Sequence, residues 1–124
     1  MQFRYARHTN QLNELENFYT SVLGFKKLVE FKDHDGYDGV FLGIEGLDWH
    51  IEFTQTNEKI VRDFDEDDLL VLYPENQSLF DDLILSIKNN DISFHQPKNP
   101  YWKENGFLIQ DPDGYGIIIS PIKI

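Results

Sequence analysis

Chemistry in this chain would rest on a small set of side chains. His50 and Glu52 stand two apart in "WHIEFTQT", so on an extended strand they share one face, with Thr54 beyond them. An imidazole and a carboxylate at that spacing can ligate a metal or move a proton, although most such pairs are ordinary polar lining. Arg4, Ala6 and His8 fall on one face of "FRYARH", with Phe3 and Tyr5 on the other. His8 is a possible general base or substitute ligand, and equally a histidine at a strand end near solvent. Tyr101 and Trp102 lie between Pro100 and Gly106, in a stretch read as a loop, where large rings are not needed for a core. They offer a stacking surface for a planar or cationic ligand, or else pack under the loop or at a dimer contact. His34 has Asp33, Asp35 and Asp38 around it in "KDHDGYDG", but the twelve-residue loop and closing Glu of a calcium site are missing, so a turn is expected. His95, shortly before Pro97, has no evident partners.

These residues must be held by elements that the chain spells out in order. After the first strand, Thr9 and Asn10 are capping residues for a helix in which Leu12, Leu15, Tyr19, Val22 and Leu23 recur at helical spacing until Gly24. "FKKLVEF", a turn in "KDHDGYDG", "VFLGI", a turn at "EGLD" and "WHIEFTQT" complete a βαβββ order. Residues 57–67, with "DFDEDD" starting inside them, read as an acidic, solvated linker. The order then repeats: the strand "LLVLYP", a stripe of Leu79, Phe80, Leu83, Ile84 and Ile87, a short strand "DISFH", and "GFLIQ" and "YGIIIS" around a turn. That turn, in "DPDGYGIII", has Pro112 to preset φ, Asp111 to accept from nearby backbone, and Gly114 for a left-handed residue. The isoleucines after it are apolar on both faces, which a half-buried strand would not be.

Composition narrows the function classes. The 124 residues carry 22 acidic against 11 basic side chains, a formal charge of −11, so phosphate-backbone binding is not expected. With no cysteine there is no disulfide framework or thiol nucleophile, and there is no phosphate loop, G-x-S-x-G or H-E-x-x-H motif. Neither a signal peptide nor a membrane span is visible, and the cytoplasm is the default expectation. Aromatic residues make up 15%, implying either a ring-rich core or a ring-lined cavity.

"NFYTSVLGFK" at 17–26, "WHIEFTQ" and "NPYWKENGFLIQDPDGY", at their separations within a doubled βαβββ order, resemble the vicinal oxygen chelate superfamily, the glyoxalase, bleomycin-resistance and dioxygenase group. The chain is also similar to small glyoxalase-like bacterial proteins. The resemblance covers nearly the whole chain. It implies an α+β fold in which two βαβββ modules, about 1–56 and 68–124, form a half-barrel with a shared cavity, and it implies a homodimer. Family enzymes hold a metal at one inward position on each of four strands. By that resemblance the positions here are Arg4, Glu52, Asp68 or its neighbour, and Ile118, of which only Glu52 and Asp68 are carboxylates.

An isoleucine offers a divalent cation nothing, and a guanidinium would be repelled by one. Arg4 is therefore expected to take the place of the cation and pair with Glu52. The resulting expectation is a metal-independent, bleomycin-resistance-like domain that needs no cofactor. Its ligand would be a small organic molecule of cationic or aromatic character, in a cavity lined by Arg4, His8, His50, Glu52, Tyr101, Trp102 and Ile118. The alternative is a metal-dependent lyase, isomerase or dioxygenase that uses Glu52 with His8, His50 or Asp68 and a bound metal as Lewis acid.

Overall fold

The computed structural model describes residues 1–123. It is a mixed α+β protein with two small sheets, each part of a βαβββ-like module, and the chain divides into two compact units, Met1–Arg62 and Asp63–Ile124.

In the first unit, β1 (Phe3–His8) runs parallel to β4 (Trp49–Gln55), and β4 pairs antiparallel with β3 (Tyr37–Gly43). β2 (Lys26–His34) forms a hairpin with β3, giving the order β1-β4-β3-β2. Strand pairing extends into most of the segment expected as a turn. Only Asp35 and Gly36 connect the two strands, both at positive φ (52° and 88°), the conformation whose twist matches that of the flanking strands.

Helix α1 (Leu12–Asn17) continues as one π-helical turn, Phe18–Val22, in which the adjacent Phe18 and Tyr19 are both buried. Gly24, at φ 77°, ends it, with its N–H bonded to the Thr20 carbonyl at 3.1 Å and that of Phe25 to Tyr19 at 2.9 Å. Thr9 accepts from the N–H of Gln11, but the Leu12 N–H at the helix start is bonded at 3.0 Å by Oε1 of Gln55, a residue of β4 that no local capping rule would name. Tyr19 packs against Phe53 (centroids 5.0 Å apart) and Phe25 (5.7 Å), and Phe25 meets Trp49 at 5.6 Å. Much of the aromatic content is thus core, each buried ring contributing about 1.5–3 kcal/mol through burial alone.

In the second unit, β5 (Leu69–Leu72) lies parallel to β7 (Gly116–Ile119), and β7 pairs antiparallel with β6 (Phe107–Gln110). β7 is the central strand, paired along both edges, and Ile117, Ile118 and Ile119, which alternate between its two faces, are all fully buried. The hairpin turn forms as its residues suggest: Asp111 Oδ1 accepts the N–H groups of Asp113 (2.9 Å) and Tyr115 (3.2 Å), and Gly114 sits at φ 85°. Helix α2 (Gln77–Asn89) starts at Asn76, whose side chain accepts the Leu79 N–H at 2.9 Å.

Two expectations are corrected here. The strand expected at 91–95 reduces to a single bridge, the His95 N–H donating to the Leu108 carbonyl at 2.9 Å. Asp91 turns the chain out of α2 at φ 58°, and Pro97 has no N–H with which to continue a ladder. Tyr101 and Trp102 stand on a short helix, α3 (Pro100–Asn105), rather than in a loop, because Asn99 caps the Tyr101 N–H at 2.9 Å and Pro100 presets the first helical φ.

Candidate functional site

Strand register in the first unit sorts its side chains onto two faces. Ile51 and Phe53 of β4, with Val40 and Leu42 of β3, form the buried side that takes α1. On the opposite face the rows read Arg4, His50, Gly43; Ala6, Glu52, Phe41; and His8, Thr54, Gly39. Arg4, His8, His50 and Glu52 therefore do share one face. Two of its rows end in glycine, and a Cβ at Gly39 would run into the Phe31 ring, which lies over that position.

The chemistry of this face is concentrated at Arg4. Its guanidinium crosses β4 to lie 4.7 Å from the centroid of the Phe41 ring, and Nη1 donates to Oε1 of Glu52 at 3.4 Å. The arginine side chain is 49% exposed and the glutamate only 14%, so the carboxylate is the member that needs a cation. Phe41 in turn stacks on His50 at 4.9 Å with an interplanar angle of 24°. His50 is buried, and among the described residues its Nε2 has no hydrogen-bond partner. Phe31 meets the edge of Phe41 at 6.2 Å and extends the aromatic surface.

His8, at the other end of the face, is held rather than free. Nδ1 is 2.7 Å from Oγ1 of Thr54, Nε2 is 3.4 Å from Oγ1 of Thr56, and the ring meets Tyr37 edge-on at 5.9 Å. Arg7 had no expected role. It is buried on the α1 side, 4.9 Å from the centroid of Phe53, and its parity with Tyr5 was the available signal.

In the second unit, Ile118 pairs with Val71 and Leu108, on the sheet face away from Ile117 and Ile119. A Cβ on Gly106 would stand 2.6 Å from Ile118 Cγ2 and 3.2 Å from Cε3 of Trp102, so that glycine is the gap between the two side chains. Trp102 is half-buried and meets the exposed Tyr101 edge-on at 4.8 Å. Asp68 falls one residue before β5 and accepts the Asp65 N–H at 3.3 Å; the β5 residues that share Ile118's face are Leu69 and Val71. A polar hollow of about 210 Å³ also opens beside β6 and β7, bordered by Phe64, Glu66, His95, Lys98 and Gln110.

Of the positions that the superfamily resemblance implies, Glu52 supplies a carboxylate, Arg4 a guanidinium and Ile118 hydrocarbon, while Asp68 stands one residue before β5; among the described residues no three His, Asp or Glu side chains gather where they could hold a metal.

This architecture is a fold whose solved examples include a glyoxalase and bleomycin- and fosfomycin-resistance proteins. Within it, the chain belongs to the YycE-like family: residues 3–54 match the YycE-like N-terminal domain and residues 67–120 the YycE-like C-terminal domain. It is 38% identical over 123 residues to the uncharacterised protein YycE of Bacillus subtilis (strain 168), spanning 98% of this chain and 88% of that one. The crystal structure of a Bacillus subtilis YycE superposes with a TM-score of 0.89 at 37% identity, covering 99% of this chain and 90% of the other. Leishmania major glyoxalase I, described as trypanothione-dependent, shares the fold at TM-score 0.74 and 21% identity, over 97% of this chain and 85% of its own. TnmS3, an antibiotic-binding protein from a Streptomyces species, does so at 0.70 and 16%, over 97% and 93%. Among the described residues, no helix is long and apolar enough to cross a membrane.

Proposed function

We propose that the protein is a metal-independent small-molecule-binding member of its superfamily, taking up a small organic molecule of cationic or aromatic character on the sheet face that bears Arg4, Phe41, His50 and Glu52. The observation that carries this reading is the Arg4–Glu52 pair: a nearly buried carboxylate has a guanidinium as its cation, against an aromatic ring. Ile118, the fully buried hydrocarbon at the corresponding position in the second unit, supports the same reading, because it adds no donor. Antibiotic binding by TnmS3 is a precedent for uptake on this fold. The protein would act as a cytoplasmic homodimer, for which the outer strands of both sheets, β1, β2, β5 and β6, offer edges.

The test is metal analysis of the purified protein, with thermal shifts on adding Ni²⁺, Zn²⁺, Mn²⁺, Fe²⁺ and a panel of aromatic cations and acids. Expected are no stoichiometric metal and stabilisation by a panel member, about 2.7 kcal/mol at a hundredfold excess over Kd. Stoichiometric metal that is lost in Glu52→Ala would overturn the reading in favour of a metal-dependent enzyme. Size-exclusion chromatography with light scattering tests the dimer.

A further inference from the structure

Arg4 reaches its partners by an indirect route. It belongs to an edge strand, yet its side chain passes over β4 to end above a ring of β3. There it makes the two contacts that a free guanidinium would seek, a carboxylate and a π face. Both receiving groups are better fixed than Arg4 itself: Glu52 is largely buried, Phe41 is stacked on His50, and Arg4 remains half exposed. His50 Nε2, buried in the register row of Arg4 with no partner among the described residues, is hydrogen-bonding capacity that the Arg4 contact leaves unused. Such an atom is normally satisfied by water or by a ligand.

We propose that this face is a receptor for a planar organic cation of the amidinium or guanidinium class carrying an aromatic body, and that Arg4 occupies it as an internal competitor when no ligand is bound. The inference rests on the reading that this face binds a small molecule, and it adds the ligand class and a means of occlusion. The ligand's cation takes the place of the Arg4 guanidinium at Glu52, its rings lie on Phe41 and Phe31, and the displaced Arg4 tip moves into solvent. A net charge of −11 attracts such a cation over long range. Contacts as exposed as those of Arg4 bias the face towards the occluded form by about tenfold, and apparent affinity falls by the same factor.

Benzamidine titrated into the full chain by calorimetry tests this. Arg4→Ala is expected to bind it about tenfold more tightly than the wild type, following that bias. Arg4→Gln, which keeps a polar side chain of similar length, should show the same gain should the alanine variant fold poorly by circular dichroism. Glu52→Gln in either background should abolish binding, and benzamide, the neutral planar analogue, should gain nothing from removal of Arg4. Equal benzamidine affinity with and without Arg4, or binding indifferent to Glu52→Gln, overturns the inference. Either result, obtained while a different panel compound still stabilises metal-free wild-type protein, leaves the small-molecule reading standing, whereas stoichiometric metal at Glu52 removes both.

Discussion

Replacing Ile118 separates a hydrocarbon core position from a ligand-facing one. The side chain is fully buried, flanked by Val71 and Leu108 in register, with a methyl group close to Gly106. Truncation to alanine should cost about 2–5 kcal/mol, the lost transfer energy plus a cavity that the neighbouring strands cannot close, and valine only about 0.5–1.5 kcal/mol. Ile118→Glu adds the burial of a carboxyl group, which can raise its folded pKa by about 3–5 units at about 1.4 kcal/mol each, or about 4–7 kcal/mol. That is comparable with the whole stability of a domain, about 5–15 kcal/mol. The sign follows from linkage. With the folded pKa above the unfolded value of about 4.3, the native state holds the extra proton in between, so the ionisation penalty grows as pH rises and vanishes below the unfolded pKa. Urea unfolding of Ile118→Glu and of wild type between pH 4 and pH 8, compared as a difference at each pH, reads this directly. A Glu variant as stable as wild type, with a difference that is flat in pH, would refute the assignment of Ile118 to a dry interior.

Gly106→Ala should cost about 1–3 kcal/mol, because the new Cβ would stand 2.6 Å from Ile118 Cγ2. Combined with Ile118→Ala, which removes that methyl, it should cost clearly less than the sum of the two, and a double-mutant cycle by urea denaturation measures the coupling. Asp111→Ala should lower stability by at least about 1 kcal/mol in the same assay, since the N–H groups of Asp113 and Tyr115 lose their shared acceptor. Asn76→Ala should cost about 1 kcal/mol by removing the cap at the start of α2.

Local chemistry accounts for what could be read without coordinates. The turn after Gln110 needs Asp111, Pro112 and Gly114 and little else, the stripe from Leu12 to Leu23 shows its period within one segment, and strand parity alone puts Arg4 with His8 and His50 with Glu52. Those relations span a few residues, so composition and spacing are enough to state them. What tertiary structure decided lies between segments distant in sequence. Gln55 caps a helix more than forty residues before it. "DISFH" fails as a strand because only His95 finds a partner on β6. Phe41 brings Arg4 and His50 together although neither segment names it, and the isoleucines of β7 are apolar on both faces of the strand because packing buries all three. A chain written in one dimension carries each side chain's chemistry, but burial and partners are set by which strands become neighbours, and that depends on the free energy of the whole packed unit.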